Sequence, residues 1–299
     1  MIQLQNVTKR FDAYIALDGV DMTIPKGSAY GLLGSNGAGK STILRLLSGV
    51  YQPEGGEVLI EDLPVFDNPL AKEKVFFVND ETIQFNSYTL DELAAFYRLF
   101  YPNFSEEKFE KLWGVLQLPR NRKLSTFSKG MKRQAVVITA LACQPEYLLL
   151  DESFDGLDPT MRIIVKRMIV DAMEDHELTV VISSHNLREI DAFCDRVGLL
   201  HKGKILFNRE LDSVKGNIHK VQTAFEDSCK REDFHDLDVL HFETQGSVVY
   251  LIVRGESEEI TMKLASRNPK ILDVVPLSLE EVFIYEMEGL GYDYSTLGV

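Results

Sequence analysis

The sequence predicts an α/β fold with an inserted helical subdomain, followed by a small α+β domain. A short apolar run at residues 29–33 leads through a glycine-rich loop into a helical pattern. Two further apolar runs, at 147–150 and 179–182, have the length and residue types of buried strands. Residues from 89 to about 142 have a helical pattern, and the helical subdomain is expected over about 82–142. With 299 residues, 45% of them hydrophobic, the chain can bury a sizeable core.

The glycine-rich loop has the spacing of a phosphate-binding loop, G-x-x-x-x-G-K-[ST], placed between a strand and a helix. Its glycines let successive backbone N–H groups turn inward, and the following helix directs the positive end of its dipole to the same point. A glycine-rich turn with an incidental lysine is the alternative, which the Lys-Ser pair and the strand-to-helix context disfavour. The predicted phosphate-binding residues are Gly34, Ser35, Asn36, Gly37, Ala38, Gly39, Lys40, Ser41 and Thr42.

Within this loop two side chains carry distinct roles. Lys40 is predicted to reach the β and γ phosphates, and the Ser41 hydroxyl to ligate Mg²⁺. Thr42 would provide a further phosphate contact.

Composition limits the partners of the protein. The formal net charge of −14 disfavours extensive binding to nucleic acid, which requires clustered Lys and Arg. The cysteines Cys143, Cys194 and Cys229 lack metal-binding spacing and are expected to be reduced thiols. Residues 1–7 lack the pattern of a secretory signal, and no apolar run approaches the roughly 20 residues that span a bilayer. Any membrane role is therefore expected to depend on a partner.

Two candidate ligand-binding residues lie beside predicted strands near the start of the chain. Phe11 lies between alternating stretches at 2–7 and 20–24, and its ring could stack on a purine base or simply be a half-exposed aromatic. Asp80 follows a predicted strand at 75–78, at the strand end where ligands bind in open α/β sheets. A solvated carboxylate is the alternative there.

The helical subdomain is predicted from its caps and its apolar faces. Thr89 and Glu92 have the spacing of a capping box, and Ser105 precedes a second helix. The subdomain is rich in aromatic residues, most of which are expected in the core, with the remainder forming a groove for a partner's helix. These are Phe85, Tyr88, Phe96, Tyr97, Phe100, Tyr101 and Phe104, among which Phe85 and Tyr88 are predicted to be the most accessible.

Polar residues at three further element ends are candidate site residues. Ser128 begins a helix, where it is either a helix cap alone or, with Gly130, a second anion site. Asp151 and Glu152 end a buried strand; Asp151 is predicted to anchor Mg²⁺ and Glu152 to polarise the water that attacks the γ phosphate. His185 ends the next buried strand at the same sheet edge.

Together these motifs resemble the ATP-binding cassette (ABC) ATPases over about residues 1–215. The family's adenine-stacking residue, phosphate loop, glutamine loop, signature segment, Asp-Glu strand end, aspartate loop and switch histidine occur in this order. They correspond here to Phe11, 34–41, the region around Asp80, 128–131, Asp151-Glu152, 156–158 and His185. The resemblance implies the P-loop NTPase fold with an ABC-type nucleotide-binding domain that binds ATP and Mg²⁺.

The resemblance also implies roles and partners that spacing does not provide. Glu152 would be the general base and His185 the sensor of the γ phosphate, with Asp80 meeting a magnesium-bound water. Two such domains, identical or different, would enclose two ATP molecules head to tail. Ser128 and Gly130 would then act on the partner's ATP, and Asp158 of the aspartate loop would belong to the same binding surface.

This sequence departs from the family pattern at three positions. Asp80, or Glu81 if the alignment slips by one, replaces the usual glutamine. The signature is Phe-Ser-Lys-Gly-Met at 127–131 in place of Leu-Ser-Gly-Gly-Gln, and Ser153 replaces the proline that follows the catalytic glutamate. Because the Ser and second Gly of the signature are retained, we expect its phosphate contact to be retained too.

Residues 216–299 are predicted to form the small α+β domain, which resembles C-terminal extensions of bacterial cassette ATPases that pair with separate membrane subunits. We therefore expect a bacterial ABC transporter ATPase that energises a separate integral membrane permease for export of a drug, peptide or other small molecule. It would be cytoplasmic and peripheral on the inner face of the membrane. A non-transport cassette protein acting on nucleic acid or the ribosome is the alternative.

Overall fold

A computed structural model describes residues 1–79, 85–226, 229–275 and 277–289. Two compact units divide the chain. The first comprises residues 1–186 and 193–208, and the second comprises 187–192 and 209–299. Within the described ranges, no helix combines the length and the apolar character needed to cross a bilayer.

A mostly parallel sheet forms the centre of the first unit. Its strands are β3 (Ala29–Leu33), β6 (Val75–Val78), β7 (Tyr147–Asp151), β8 (Thr179–Ser184), β9 (Arg196–His201) and β10 (Lys204–Glu210). They lie in the order β10-β9-β3-β8-β7-β6, and the pairs from β9 to β6 are parallel. The predicted buried strands are therefore confirmed, and β3, β8 and β7 end side by side.

A second, antiparallel sheet packs with the first around one helix. It contains β1 (Ile2–Phe11), β2 (Tyr14–Ile24), β4 (Gly55–Ile60) and β5 (Leu63–Pro64) in the order β2-β1-β4-β5. Helix α1 (Lys40–Leu47) buries Ile43, Leu44, Leu46 and Leu47 in a core that also contains residues of both sheets. The apolar face that the sequence predicts for this helix thus fixes the loop before it.

The first hairpin extends beyond the strands predicted from alternation. Residues 8–11 and 14–19 continue β1 and β2, and Phe11 pairs with Tyr14 across a two-residue turn. Asp12 adopts the left-handed conformation (φ 52) that such a tight turn requires. Register shifts along the pair disrupt the alternation, so the pattern of side chains alone does not reveal the full strands.

Among the described residues between β6 and β7, helices account for most of the sequence from residue 90 onward, as predicted. They are α3 (Leu90–Arg98), α4 (Glu106–Leu116), a 3₁₀ turn (Leu124–Thr126) and α5 (Lys129–Ala142), and a short α2 (Pro69–Lys72) precedes β6. The capping box of Thr89 and Glu92 is confirmed in both directions, and Ser105 and Ser128 accept hydrogen bonds from the first turns of their helices. Helix α6 (Pro159–His176) lies between β7 and β8 in the chain.

The second unit is an α+β structure with its own core. It contains strands β11 (Ile218–Ala224), β12 (Asp238–Gln245), β13 (Val248–Arg254) and β14 (Ile271–Val275), with antiparallel order β12-β13-β11-β14. Its helices are α7 (Leu187–Asp191), α8 (Leu211–Gly216), α9 (Ser257–Ala265) and α10 (Leu279–Gly289), with a 3₁₀ turn at Arg231–Phe234. Helix α9 buries Ile260 and Leu264 against Val221 and Leu251 of the sheet.

Candidate functional site

The phosphate loop joins β3 to α1 and is tightly packed at its two ends. Gly39 has a φ of 112, and a Cβ there would lie 2.8 Å from the Ala16 carbonyl oxygen. A Cβ on Gly34 would lie 2.3 Å from the carbonyl oxygen of Leu200. Side chains are therefore excluded at both positions, whereas Asn36 and Gly37 form an exposed tip. The remaining predicted residues, Ser35, Ala38 and Thr42, lie on the same loop and the first turn of α1.

Lys40 points back into the loop. Its Nζ donates hydrogen bonds to the carbonyl oxygens of Gly34 (2.7 Å) and Ser35 (3.2 Å), and the residue is only 6% exposed. Burial lowers the pKa of the Lys40 amine, and the carboxylates of Glu152 and Asp151 oppose that shift. The ammonium group is thus held in the concavity of the loop, where phosphate oxygens can replace the two carbonyls as acceptors.

Ser41 and Asp151 form the oxygen pair expected of a magnesium site. The Ser41 hydroxyl lies 3.1 Å from Asp151 Oδ1, which also accepts a 2.5 Å hydrogen bond from Ser183 Oγ. Adjacent ligands of an octahedral Mg²⁺ with bonds of 2.0–2.1 Å are about 2.9 Å apart, so this pair fits the ion. The third residue predicted for this site, Asp80, lies outside the described residues.

Glu152 and His185 come together beside this pair. Nδ1 of His185 lies 3.4 Å from Oε1 of Glu152, and the side chains are 52% and 26% exposed, respectively. Glu152 adopts a left-handed backbone conformation (φ 46), and Ser183 holds its N–H through the carbonyl and hydroxyl oxygens, both at 3.2 Å. Conformations of this kind in a non-glycine residue persist where the surroundings fix them, often at functional sites.

Two supporting residues were not predicted from the sequence. Ser183 contacts both Asp151 and Glu152. Its position beside them results from the parallel register, in which Asp151 pairs with Ser183. Arg133, fully buried on α5, donates a 3.0 Å hydrogen bond to the Glu152 carbonyl oxygen. The one available signal for Arg133 was its place among the buried positions of an amphipathic helix, which is unusual for a charged residue.

Phe11 lies on the first hairpin and pairs with Tyr14, whose side chain reaches the phosphate loop. Its ring contacts Tyr51 edge to face, with centroids 5.3 Å apart, and Lys9 Nζ lies 5.4 Å from its centroid. Phe11 is 39% exposed. Tyr14, 57% exposed, donates a 3.0 Å hydrogen bond from its hydroxyl to the Gly37 carbonyl oxygen at the tip of the phosphate loop.

Ser128, Gly130 and Asp158 make local contacts. Ser128 Oγ accepts from the Met131 N–H at 3.1 Å, and Asp158 Oδ1 accepts from two N–H groups of α6 at 3.1 and 3.0 Å. A Cβ on Gly130 would lie 2.8 Å from the Gly156 carbonyl oxygen, so the start of α5 packs on the aspartate loop. Within the part of the chain that the structure describes, none of these contacts links Ser128, Gly130 or Asp158 to the phosphate loop of the same chain.

The family model and the similar proteins that match this chain all indicate the same family. Residues 17–155 match the family model described as "ABC transporter". The chain is 29% identical to the "ABC transporter ATP-binding protein YtrB" of Bacillus subtilis over 97% of this chain and 99% of that protein. It is 31% identical to the "Lantibiotic transport ATP-binding protein SrtF" of Streptococcus pyogenes, over 76% of this chain and 99% of that protein.

Solved structures agree on the fold. The chain superimposes on the "Structure of ATP binding subunit of ABC transporter" with a TM-score of 0.66 and 23% identity, covering 72% of this chain and 92% of that one. A second match is the "Dimeric structure of a post-hydrolysis state of the ATP-binding cassette MJ0796 bound to ADP and Pi". Its TM-score is 0.63 at 24% identity, with coverage of 71% and 99%.

Proposed function

Because this chain belongs to the ABC transporter family as an ATP-binding subunit, we propose that it hydrolyses MgATP within a cassette dimer and drives a separate membrane permease. ATP hydrolysis is the activity of the family. The observation that best supports this mechanism is that two pairs of polar side chains lie next to each other in the chain's fold. In the first pair, the Ser41 hydroxyl is 3.1 Å from the Asp151 carboxylate. In the second, His185 Nδ1 is 3.4 Å from the Glu152 carboxylate.

Each residue of the site has a role that its geometry supports. Lys40 and the loop N–H groups bind the phosphates, and Ser41 and Asp151 hold Mg²⁺, which when bound neutralises charge on the transferred phosphoryl group. Glu152 accepts a proton from the attacking water. His185 contacts the Glu152 carboxylate and fixes its orientation beside the γ phosphate. Ser183 and Arg133 hold the backbone of Glu152 and act as positioning residues.

Glu152→Gln tests the base assignment. The substitution keeps volume and hydrogen-bonding shape but removes the proton acceptor, so ATPase activity should fall by about 10²- to 10⁴-fold. ATP affinity should remain within a factor of about two, because the phosphates are bound by other residues. Glu174→Gln, an exposed position on α6, is the matched control and should retain wild-type activity.

Gel filtration with ATP extends this test to the dimer. The Glu152→Gln variant should elute as an ATP-dependent dimer, because binding without hydrolysis preserves the closed state. Wild-type turnover in this variant would exclude Glu152 as the base.

The exposed positions of Ser128 and Asp158 support a role in a cassette dimer. Ser128 Oγ uses its acceptor capacity in capping α5, and its O–H remains a donor for a phosphate oxygen of a second copy or a related chain. The helix N-terminus adds favourable charge at the same point. Whether the dimer is a homodimer or a heterodimer then depends on which chain supplies this surface.

The aromatic residues of the helical block support docking of a membrane permease, with a correction to the predicted surface. Phe85 and Tyr88 are half-buried and contact each other and Phe96, whereas Phe100 is 58% exposed and Leu99 79% exposed. The prediction that Phe85 and Tyr88 are the most accessible was therefore wrong. We infer that Leu99 and Phe100 receive an amphipathic helix of the permease.

Replacing Leu99 and Phe100 with serine tests this surface. Basal ATPase activity should persist, while co-purification with the permease and stimulation by it should be lost, because the apolar contact is removed. Val115→Ser, at a position 57% exposed on α4, is the control for an apolar surface residue of the same block. Intact co-purification in the double variant would place the docking site elsewhere.

Association with the inner face of the cell membrane follows from this partner and is part of the proposal. Export is favoured by similarity to the lantibiotic transport protein and to the "Linearmycin resistance ATP-binding protein LnrL" of Bacillus subtilis, 30% identical over 69% of this chain and 68% of that protein. The nucleic-acid alternative is not favoured, since the chain carries a net charge of −14.

A further inference from the structure

A third ionisable side chain, Asp155, lies beside Glu152 and His185. Asp155 ends the turn that follows β7, and its N–H donates a 3.2 Å hydrogen bond to the Glu152 carbonyl oxygen. One donor atom from each of the three side chains lies within 4.8 Å of the other two. The group therefore combines two carboxylates and one imidazole, contributed by the turns after two neighbouring parallel strands.

The donor types and spacing fit a zinc-like cation. In a tetrahedral site with Zn–N and Zn–O bonds of about 2.0–2.1 Å, two ligand atoms are about 3.4 Å apart. The distance from His185 Nδ1 to Glu152 Oε1 is 3.4 Å. One Asp155 carboxylate oxygen lies within 4.8 Å of ligand atoms of both Glu152 and His185, and Asp155 is half-buried. Magnesium would be a poor occupant, because it prefers oxygen ligands in octahedral geometry.

The site is open to ions from solution and rigid at its base. His185 is 52% exposed and Glu152 26% exposed, so a hydrated ion can reach both. The Glu152 backbone is held by Ser183 and Arg133, which limits the rearrangement needed on binding. Three protein ligands leave a fourth position for water.

We propose that Glu152, Asp155 and His185 form a binding site for a zinc-like divalent cation that inhibits ATP hydrolysis. The site is separate from the Ser41–Asp151 pair, whose donors are both oxygen atoms. A bound cation would occupy the lone pair with which Glu152 accepts a proton and the lone pair of His185 Nδ1. The inhibition rests on the proposed role of Glu152, but the binding does not.

Binding is tested with Zn²⁺ and Co²⁺ on the full chain without nucleotide. Isothermal titration should give one Zn²⁺ per chain, and Co²⁺ should produce visible absorption of a low-coordinate nitrogen and oxygen site. Asp155→Asn and His185→Ala should each weaken binding about tenfold or more. Asp171→Asn, an exposed aspartate on α6, should bind like the wild type, and a Cys229→Ser background removes the half-buried thiol as a competing ligand.

Inhibition is measured at saturating MgATP with buffered free Zn²⁺, each variant being compared with its own zinc-free rate. The Zn²⁺ concentration for half inhibition should rise about tenfold or more in Asp155→Asn. Equal Zn²⁺ affinity in the wild type and in both ligand variants would overturn the site. Zinc that binds with the expected dependence on Asp155 but leaves hydrolysis unchanged would keep the site and overturn the proposed inhibition, whereas the role of Glu152 as the base is tested separately by Glu152→Gln.

Discussion

The two ends of the proposed ATP site are built differently. The phosphate end is the phosphate loop, and the base end is the region of Phe11 and Tyr14, where the nucleobase of ATP would lie. At the phosphate end, Lys40 is 6% exposed and Gly39 leaves no room for a side chain. At the base end, Phe11 is 39% and Tyr14 57% exposed; the Phe11 ring contacts Tyr51 and Lys9 Nζ, and the Tyr14 hydroxyl contacts the Gly37 carbonyl oxygen. The phosphate end is thus formed in advance, whereas the base end offers a half-exposed aromatic ring.

This difference predicts where the free energy of ATP binding originates. A preformed loop gains the full benefit of its N–H groups and its ammonium, since little ordering remains to be done on binding. A half-exposed ring contributes stacking, which tolerates different bases. We therefore expect substitutions at the phosphate end to have larger effects than those at the base end.

The largest effect is expected from Gly39→Ala. Alanine would be strained at φ 112 and would bring its Cβ to 2.8 Å from both the Ala16 carbonyl oxygen and Leu17 Cδ2. ATP binding should weaken by about 2 to 4 kcal/mol, measured by isothermal titration. Gly37→Ala is the control, because φ is also positive there (78) but no atom lies within 4 Å. Equal losses in the two variants would show that packing at Gly39 does not matter.

A smaller effect is expected from Phe11→Ala. Loss of the stacking surface should weaken ATP binding by about 1 to 3 kcal/mol. Phe11→Tyr keeps the ring and should bind nearly as well as the wild type. Unchanged affinity in Phe11→Ala would make Tyr14, whose hydroxyl already reaches the phosphate loop, the next candidate for the base contact.

The smallest difference is expected between nucleotides. Because stacking depends little on base identity, the Kd values for GTP and ATP should lie within about tenfold of each other, or about 1.4 kcal/mol. Competition of GTP against a fluorescent ATP analogue measures this directly. A preference for ATP beyond a hundredfold would reveal a residue that contacts the base edge.

The sequence predicted the residues whose identity follows from local pattern. The phosphate loop and the Asp151-Glu152 strand end depend on neighbours in the chain, and so does the cap at Ser128, whose side chain accepts from the Met131 N–H. Ser183 and Arg133 were missed because their roles depend on strand register and on packing between helix and strand. The exposure of Phe100 was missed for the same reason, since it depends on how the aromatic side chains of the helical block pack together.

Arg133 has a consequence for communication between two nucleotides. Ser128 caps the N-terminus of helix α5. Five residues later, the guanidinium of Arg133 donates a hydrogen bond to the Glu152 carbonyl oxygen. In the proposed dimer, Ser128 contacts ATP held by the other chain. One helix therefore connects that nucleotide with Glu152, the proposed general base of the first chain. Thermodynamic linkage then requires reciprocity in affinity: if ATP at one site changes the affinity of the other site for ATP, the second ATP changes the affinity of the first site by the same factor.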